Sequence, residues 1–299
     1  MNAPVIIEVA VNGLCKKGRN PHVPETVAEI IEDGTGCIEA GASIIHAHAS
    51  SYELEADEAY RQYADIFAGI RRRCPAAHLY PSAIGGASLA ERVAHFPRLV
   101  DAGLIGMGYM DPGSVNILAE LDNSGLPKGG FPYVNSFEHC NEQIAWFNRE
   151  GIAPSLAVFE PGFLHLILTY YRAGVLPVGS LIKFYFGGDY SVVSGAPTVP
   201  HGLPPTPASL DALLAMMGDC PVPWAVSVIG GDLTQSSVLP YALERGGHVR
   251  VGLEDYAGAR VPTNLELVEE VLEIIAAKGR RPATPQETAA ILGIRKRQE

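Results

Sequence analysis

The chain has 299 residues, of which 47% are apolar and 18% are charged, and its formal net charge is −11. This length and apolar content allow one large domain with a substantial core. The acidic balance argues against a nucleic-acid-binding protein, which needs a concentrated basic surface. Apolar stretches are also too short or too interrupted to span a membrane.

The five cysteines are scattered, and none of them forms a Cys-x-x-Cys pair. They indicate reduced thiols rather than a disulfide framework. The first residues lack a basic segment followed by a long apolar core, so no signal peptide is expected. We therefore expect a cytoplasmic protein that contacts neither nucleic acid nor membrane.

Short apolar segments typical of β-strands alternate with segments of helical period. Strands are predicted over residues 5–11, 43–49, 78–82, 104–110, 155–159, 181–186, 224–229 and 248–253. The clearest helices are predicted over residues 26–40, 57–73, 88–96, 164–172 and 265–278. Eight such alternations predict an α/β fold with a parallel sheet, and this length favours closure into a (β/α)8 TIM barrel. One domain is expected over 1–299, with a C-terminal helical extension from about residue 265.

His46 and His48 stand two residues apart at the end of the second predicted strand. Residues i and i+2 of a strand point to the same face, so both imidazoles aim at one place. Two convergent imidazoles suit zinc or a similar divalent metal. Two histidines hydrogen-bonded in a core, or exposed at a strand end, are the alternative interpretation.

A second charged segment lies at the end of the eighth predicted strand, where Arg250, Glu254 and Asp255 fall within six residues. The period of two places Arg250, Gly252 and Glu254 on one face. In a closed barrel the eighth strand neighbours the first, and the second lies just beyond. Glu254 is therefore expected to reach a metal held by the two histidines, giving the open ligand set of a catalytic site.

In these residues the chain resembles the β-keto acid cleavage enzymes, a family of zinc-dependent barrels. The resemblance runs nearly end to end, and the combination of His-x-His with Gly-Gly-His-x-Arg-x-Gly-x-Glu-Asp is highly specific. The matching segments are 46–48, 85–86, 113–116, 159–162, 224–230, 246–255, 263–268 and 283–288.

The resemblance implies that His46, His48 and Glu254 hold Zn²⁺, that Asp255 is the catalytic base, and that Arg250 orients it. Arg250 beside Asp255 is expected to keep that carboxylate ionised by lowering its pKa. By the same resemblance, Ser82 assists catalysis, and substrate contacts come from a further set: Gly85, Gly86, Ser114 and Asn116. Family members convert a β-keto acid and acetyl-CoA into acetoacetate and a new acyl-CoA, and a homotetramer or homodimer is implied.

Several positions depart from the family pattern. Ser50 stands where an arginine is common, Ser155 and Ala157 occupy a strand where some members carry acidic residues, and Cys15 replaces an acidic side chain. These changes argue against a substrate that carries a positive charge. Glu8 is expected either to substitute for the missing acid or to be a buried, hydrogen-bonded carboxylate.

Other functions stay open. A metal-dependent aldolase or acyl-CoA lyase would use the same enolate chemistry, and a non-catalytic barrel would bind an acyl-CoA or a keto acid without turnover. An amidohydrolase-type site does not fit, because its His-x-His lies on the first strand. Coenzyme A could rest on the glycine turns at 187–188 and 230–231, since the chain has no phosphate-binding P-loop.

Overall fold

A computed structural model describes residues 3–294. Eight parallel strands form one sheet. In chain order they are β2 (Ile7–Ala10), β3 (Ile44–Ala47), β4 (His78–Pro81), β5 (Met107–Met110), β8 (Ala153–Val158), β9 (Leu181–Gly187), β10 (Trp224–Ile229) and β11 (His248–Val251). Two short strands, β1 (Pro4–Val5) and β12 (Arg281–Pro282), pair with each other outside this sheet.

The order across the sheet is β4-β3-β2-β11-β10-β9-β8-β5. The two end strands, β4 and β5, contact each other without a hydrogen-bonded ladder, so the barrel is nearly closed. The eighth barrel strand, β11, pairs in parallel with the first, β2. These observations confirm the predicted α/β TIM barrel.

Helices cover the outside of the sheet. They are α1 (Val27–Ala40), α2 (Ala56–Arg73), α3 (Leu89–Arg92), α4 (Phe96–Asp101), α5 (Phe137–Glu150), α6 (Pro161–Arg172), α7 (Pro207–Met217), α8 (Val238–Glu244), α9 (Asn264–Ala277) and α10 (Pro285–Leu292). A 3-10 turn covers Leu233–Gln235. The single helix predicted over 88–96 is instead the short pair α3 and α4. None of the helices in the described residues is long and apolar enough to cross a membrane.

The connection between the fourth and fifth barrel strands was not fully predicted. An antiparallel hairpin, β6 (Val115–Leu121) and β7 (Pro127–Tyr133), precedes α5. Its turn is built on Asp122, whose Oδ1 accepts from the backbone N–H groups of Ser124 and Leu126. The Asp-Asn-Ser-Gly turn residues between two apolar runs were the available signal.

The core has two parts. A large cluster fills the space between the sheet and the helices, and a smaller one closes the end of the barrel where the strands begin. The smaller cluster includes Ile44, Met107 and Leu181, the first residues of their strands, and Leu292 of α10 packs against them. One end of the barrel is thereby filled, and the end where the strands finish remains available for a site.

Candidate active site

His46 lies on β3, in register with Ala10 on one side and Tyr80 on the other. Its ring stacks on Tyr80 with centroids 4.5 Å apart, and its Nδ1 lies 3.3 Å from the Tyr80 carbonyl oxygen. That carbonyl can only accept, so Nδ1 carries the proton and Nε2 is left with a free lone pair. Burial lowers the pKa of His46 to about 3, which keeps the imidazole neutral. A neutral imidazole is the form that binds metal.

His48 lies just beyond the end of β3, and the side chain of Asn12 fixes its backbone. Asn12 Oδ1 accepts from the His48 N–H at 2.8 Å, and Asn12 Nδ2 donates to the His48 carbonyl at 3.0 Å. Asn12 was not among the residues predicted for the site. The sequence feature that could have indicated it is an asparagine directly after the first predicted strand. Its side chain fixes the backbone of a residue 36 positions away.

Glu254 reaches the two histidines through a turn rather than along a strand. The strand ends at Val251, and Gly252 has a φ of +138°, where a Cβ would meet the Ala10 carbonyl oxygen at 2.2 Å. Only glycine fits such an approach. The Glu254 N–H then donates to the Ala10 carbonyl at 3.2 Å. Arg250, Gly252 and Glu254 therefore do not share one strand face as predicted, although Glu254 does reach the histidines.

The three side chains form a compact donor set. Their candidate ligand atoms all lie within 4.8 Å of one another. Glu254 Oε2 is 3.4 Å from His46 Nε2, and Glu254 Oε1 is 3.4 Å from His48 Nε2. Ligands about 2.1 Å from a tetrahedral ion stand about 3.4 Å apart, and each imidazole nitrogen lies at that distance from one of the two carboxylate oxygens.

Two atoms of this set also lack hydrogen bonds. His48 Nε2 and Glu254 Oε2 are buried without a hydrogen-bond partner. Buried polar atoms without partners are rare and call for an explanation such as an ion. Burial alone would raise the pKa of Glu254, but the surrounding groups, Arg250 among them, hold it well below its usual range. The residues present therefore fit a divalent metal.

Arg250 and Asp255 form a buried pair behind this donor set. Arg250 Nε donates to Asp255 Oδ2 at 2.8 Å and Arg250 Nη2 donates to Oδ1 at 3.1 Å. Ser227 Oγ adds a third hydrogen bond to Oδ2 at 2.7 Å. Arg250 Nη2 also lies 3.1 Å from Glu254 Oε1. One guanidinium thus connects the expected base with an expected metal ligand.

The expected depression of the Asp255 pKa is wrong. Burial raises the pKa of Asp255 above its ordinary value, and Arg250 opposes that shift only in part. Removing a carboxylate from water is costly, and here that effect exceeds the attraction of the ion pair. A carboxylate with a raised pKa accepts a proton more readily than an exposed aspartate.

Glu8 is a buried, hydrogen-bonded acid, which decides between its two expected roles. Its Oε1 accepts from Arg250 Nη1 at 2.7 Å and from Lys183 Nζ at 3.3 Å, and it also accepts from the Tyr80 hydroxyl. Its Oε2 accepts from Ser155 Oγ at 3.2 Å. Burial raises the pKa of Glu8, but the two cations outweigh burial and lower it to about 2. Glu8 is therefore committed to the barrel interior.

A cavity of about 420 Å³ opens at the end of the barrel where the strands finish. The donor set, Ser82, Arg250, Lys183 and Asp111 contribute its polar lining. Most of the remaining wall is aromatic or aliphatic: Leu14, Tyr52, Tyr80, Tyr109, Ile117, Leu118, Phe131, Tyr133, Phe159, Tyr185, Val192 and Ile229. Asp111 accepts from the Tyr133 hydroxyl at 2.7 Å. The cavity is thus largely apolar, and its charged side chains already have partners.

The predicted site residues divide into three groups. The cavity brings together His46, His48, Glu254, Arg250 and Ser82. Asp255 lies behind Arg250 and lines a much smaller adjoining cavity. The four predicted substrate contacts do not appear in the lining of the large cavity: Gly85, Gly86, Ser114 and Asn116.

The four have other contacts. The Gly85 N–H donates to the Tyr52 carbonyl, and Ser114 Oγ pairs with the backbone of Asn135. Instead of Ser114 and Asn116, their neighbours Ile117 and Leu118 reach the cavity because the hairpin folds over it. A role for the predicted four in substrate binding stays a prediction.

The departures from the family pattern leave no acid at the expected places. Cys15 is buried and accepts from Arg19 Nε at 3.2 Å. The Ser50 N–H donates to Gln62 Oε1 at 3.1 Å on the surface. Ser155 binds Glu8, and Ala157 stands in register with Lys183. A cationic substrate group would have no free carboxylate at these positions.

The two glycine turns proposed for coenzyme A contact each other instead. The Gly188 N–H donates to the Ile229 carbonyl and the Gly230 N–H donates to the Asp255 carbonyl, both at 2.8 Å. A Cβ on Gly188 would meet the Gly230 oxygen at 2.3 Å. These amides are occupied, so they do not form a phosphate cradle.

Comparisons with known proteins indicate the family of the chain. Residues 4–294 match the family described as beta-keto acid cleavage enzyme. The 3-keto-5-aminohexanoate cleavage enzyme of Acetoanaerobium sticklandii is 28% identical, covering 98% of this chain and 99% of that protein. The 3-oxoadipate:acetyl-CoA acetyltransferase of Cupriavidus necator is 26% identical, covering 98% and 96%.

A solved ternary complex of ObcA with a C4-CoA adduct and oxalate has the same fold. It superposes with a TM-score of 0.63 at 20% identity, covering 91% of this chain and 68% of ObcA. This likeness concerns the fold, whereas the match over residues 4–294 shows the family: the chain belongs to the β-keto acid cleavage enzyme family.

Proposed function

We propose that this protein is a zinc-dependent acyltransferase that converts a β-keto acid and acetyl-CoA into acetoacetate and a new acyl-CoA. The observation that carries the proposal is the buried donor set of His46, His48 and Glu254, which adjoins Arg250 at the wall of one cavity, with Asp255 held behind that arginine. The named acetyl-CoA-dependent relative supports the choice of cosubstrate. Zinc, when bound to the donor set, would act as a Lewis acid on the substrate oxygens.

The first step is removal of a C2 proton from the β-keto acid by Asp255. Arg250 holds the carboxylate in place through two hydrogen bonds. Oδ2 accepts two hydrogen bonds but Oδ1 accepts only one, so a lone pair of Oδ1 is free to take the proton. The result is a carbanion at C2 of the β-keto acid, adjacent to the carboxylate of the substrate itself.

The next two steps exchange the acyl groups. The C2 carbanion attacks the thioester carbon of acetyl-CoA, a C–C bond forms, and the C–S bond breaks to release CoA thiolate. The thiolate then attacks the original ketone carbon of the adduct. The bond between that carbon and C2 breaks, which yields the new acyl-CoA and the C2 carbanion of acetoacetate. Protonated Asp255 returns its proton to that carbanion.

The lining of the cavity favours a substrate whose side chain is uncharged. Its wall is mostly aromatic and aliphatic, and burying an unpaired charge against such a wall is unfavourable. Lys183 and Arg250 are already paired with Glu8 and Asp255. We therefore expect an uncharged acyl chain to be preferred over an amino-bearing or dicarboxylic one.

The test is acetoacetate release by zinc-loaded protein from a panel of β-keto acids with neutral, cationic and anionic side chains. We expect turnover that requires acetyl-CoA and is fastest with a neutral member. Turnover without acetyl-CoA would instead identify an aldolase or lyase. Absence of turnover across the panel, with one zinc bound per chain, would overturn the enzymatic proposal and favour a binding protein.

A further inference from the structure

His201 belongs to the connection between β9 and α7, which lies over the open end of the barrel. Hydrogen bonds of the two residues that follow His201 fix this part of the connection. The Gly202 N–H donates to Glu160 Oε1 at 2.8 Å, and the Gly187 N–H donates to the Leu203 carbonyl at 2.9 Å. The His201 ring packs edge-on against Phe159, with centroids 5.4 Å apart and an interplanar angle of 82°. The imidazole is therefore held in one place.

The His201 ring lines the cavity, and its Nε2 is buried without a hydrogen-bond partner. A buried ring nitrogen without a partner calls for one, and a ligand in the cavity would supply it. Burial lowers the pKa of His201 to about 4, so the ring is neutral near pH 7. One nitrogen of a neutral imidazole is a donor. His201 can thus offer an N–H to a ligand without adding charge to an apolar wall.

The barrel topology places His201 across from the donor set. The strand that leads to His201 is β9, four positions away from β3 in the eight-strand order. In a ring of eight strands, positions four apart are opposite each other. A molecule held by His46 and His48 at the end of β3 would therefore have the His201 side of the wall facing it.

The charged side chains of the cavity wall outside the donor set are already engaged. Lys183 Nζ and Arg250 Nη1 donate to Glu8, and Asp111 accepts from Tyr133. A second reactant entering opposite the donor set would consequently meet an N–H at His201 rather than an ion. The chemistry of such a neutral donor suits a carbonyl oxygen that gains negative charge during reaction.

We propose that His201 is a catalytic residue that donates a hydrogen bond from Nε2 to the thioester carbonyl oxygen of acetyl-CoA. This inference rests on the proposed function. When the C2 carbanion attacks the thioester carbon, the carbonyl oxygen becomes an oxyanion. A donor held in place beforehand stabilises that charge without reorganising.

The test compares two non-reacting analogues of acetyl-CoA by titration calorimetry on zinc-loaded protein. One is the ketone in which a methylene replaces the thioester sulfur, and the other is S-ethyl-CoA, which lacks the carbonyl. We expect the wild-type protein to bind the ketone about fivefold more tightly, in keeping with one net hydrogen bond. His201→Phe should abolish this preference and leave S-ethyl-CoA affinity unchanged, whereas His201→Gln, which retains a donor, should keep part of it.

Turnover provides a second readout. His201→Phe should lower kcat about 10²-fold, as expected for the loss of one donor to an oxyanion, with little change in KM for the β-keto acid. An unchanged preference for the ketone in His201→Phe would overturn the inference alone. If His201→Phe changes the preference among β-keto acid side chains and keeps the preference for the ketone, the inference would also be overturned, because His201 would then contact the substrate side chain. Failure of both analogues to bind the wild-type protein would overturn the proposed function as well.

Discussion

Arg250 Nη1 donates to Glu8 Oε1 at 2.7 Å inside the barrel, joining residues 242 positions apart in the chain. Arg250 carries this bond and the Asp255 pair at the same time. The arginine is 2% exposed and Glu8 is 0% exposed, so neither charge is compensated by water. The position of the expected base thus depends on an acid that takes no direct part in the chemistry.

Replacing Glu8 with Gln should strongly destabilise the protein, because Lys183 and Arg250 would lose a buried counter-charge. Breaking a buried pair costs about 3 kcal/mol or more, which corresponds to a fall in Tm of roughly 6 °C. Thermal unfolding at pH 7 measures this. Glu287→Gln, which breaks an ion pair with Arg281 at the surface, is the matched control and should change stability by less than about 1 kcal/mol. Equal Tm values for the two variants would refute the interpretation.

Removing a donor-set ligand should abolish zinc binding. His48→Ala and Glu254→Gln are each expected to lose stoichiometric zinc after dialysis, measured by elemental analysis, because two protein ligands remain. Zinc at 100 times its Kd should stabilise the wild-type protein by about 2.7 kcal/mol, so EDTA should lower its Tm but not that of either variant. His165→Ala, at an exposed histidine on α6, should behave like wild type. Full zinc occupancy in Glu254→Gln would contradict the assignment.

Asp255→Asn should stop proton removal while leaving metal binding intact. Exchange of the substrate C2 hydrogen in deuterated water, followed by NMR, is expected to slow about 10²- to 10⁴-fold, the range for loss of a general base. Ser227→Ala removes one hydrogen bond to the same carboxylate and should slow exchange by less than about tenfold. Undiminished exchange in Asp255→Asn, with zinc bound, would assign the base elsewhere.

Asp33 should make stability decrease as the pH rises from about 4 to about 7. Burial raises its pKa to about 7, although the Asn264 amide hydrogen-bonded to it at 2.7 Å lowers the pKa in part. Between the unfolded pKa, about 3.9, and this folded value, the folded state binds more protons, so stability falls by at most about 1.4 kcal/mol per pH unit. The contribution is complete below the unfolded pKa and is lost as the pH passes through the folded pKa.

Urea unfolding of wild type and Asp33→Asn across this pH range measures the effect as the difference between the two curves. The free energy of unfolding of wild type minus that of Asp33→Asn should fall as the pH rises and become constant above about pH 7. Asp101→Asn, at an exposed carboxylate at the end of α4, should give a curve parallel to wild type. A curve for Asp33→Asn that is also parallel to wild type would show that burial does not raise the Asp33 pKa.

Local spacing explains the successful predictions. The alternation of apolar runs with segments of helical period predicted the barrel, because the period within each segment indicates whether it is a strand or a helix. His46 and His48 at a strand end, and Arg250 to Asp255 at another, were recognisable because charged and metal-binding residues interrupt apolar strands. The hairpin after β5 was not predicted, because the side chains of its second strand, β7, are nearly all exposed and show no alternation of apolar and polar residues.

The amino-acid sequence by itself determined the fold class and the chemical types at two strand ends. Only the tertiary structure decided which atoms meet. Asn12 fixes His48, Gly252 lets Glu254 pass over Ala10, and Arg250 spans from Glu8 to Asp255. Such contacts join residues far apart in the chain, and they depend on barrel register and on turns that no local period describes. Burial acts in the same way, because the pKa of Asp255 follows from how completely the closed barrel removes water from it.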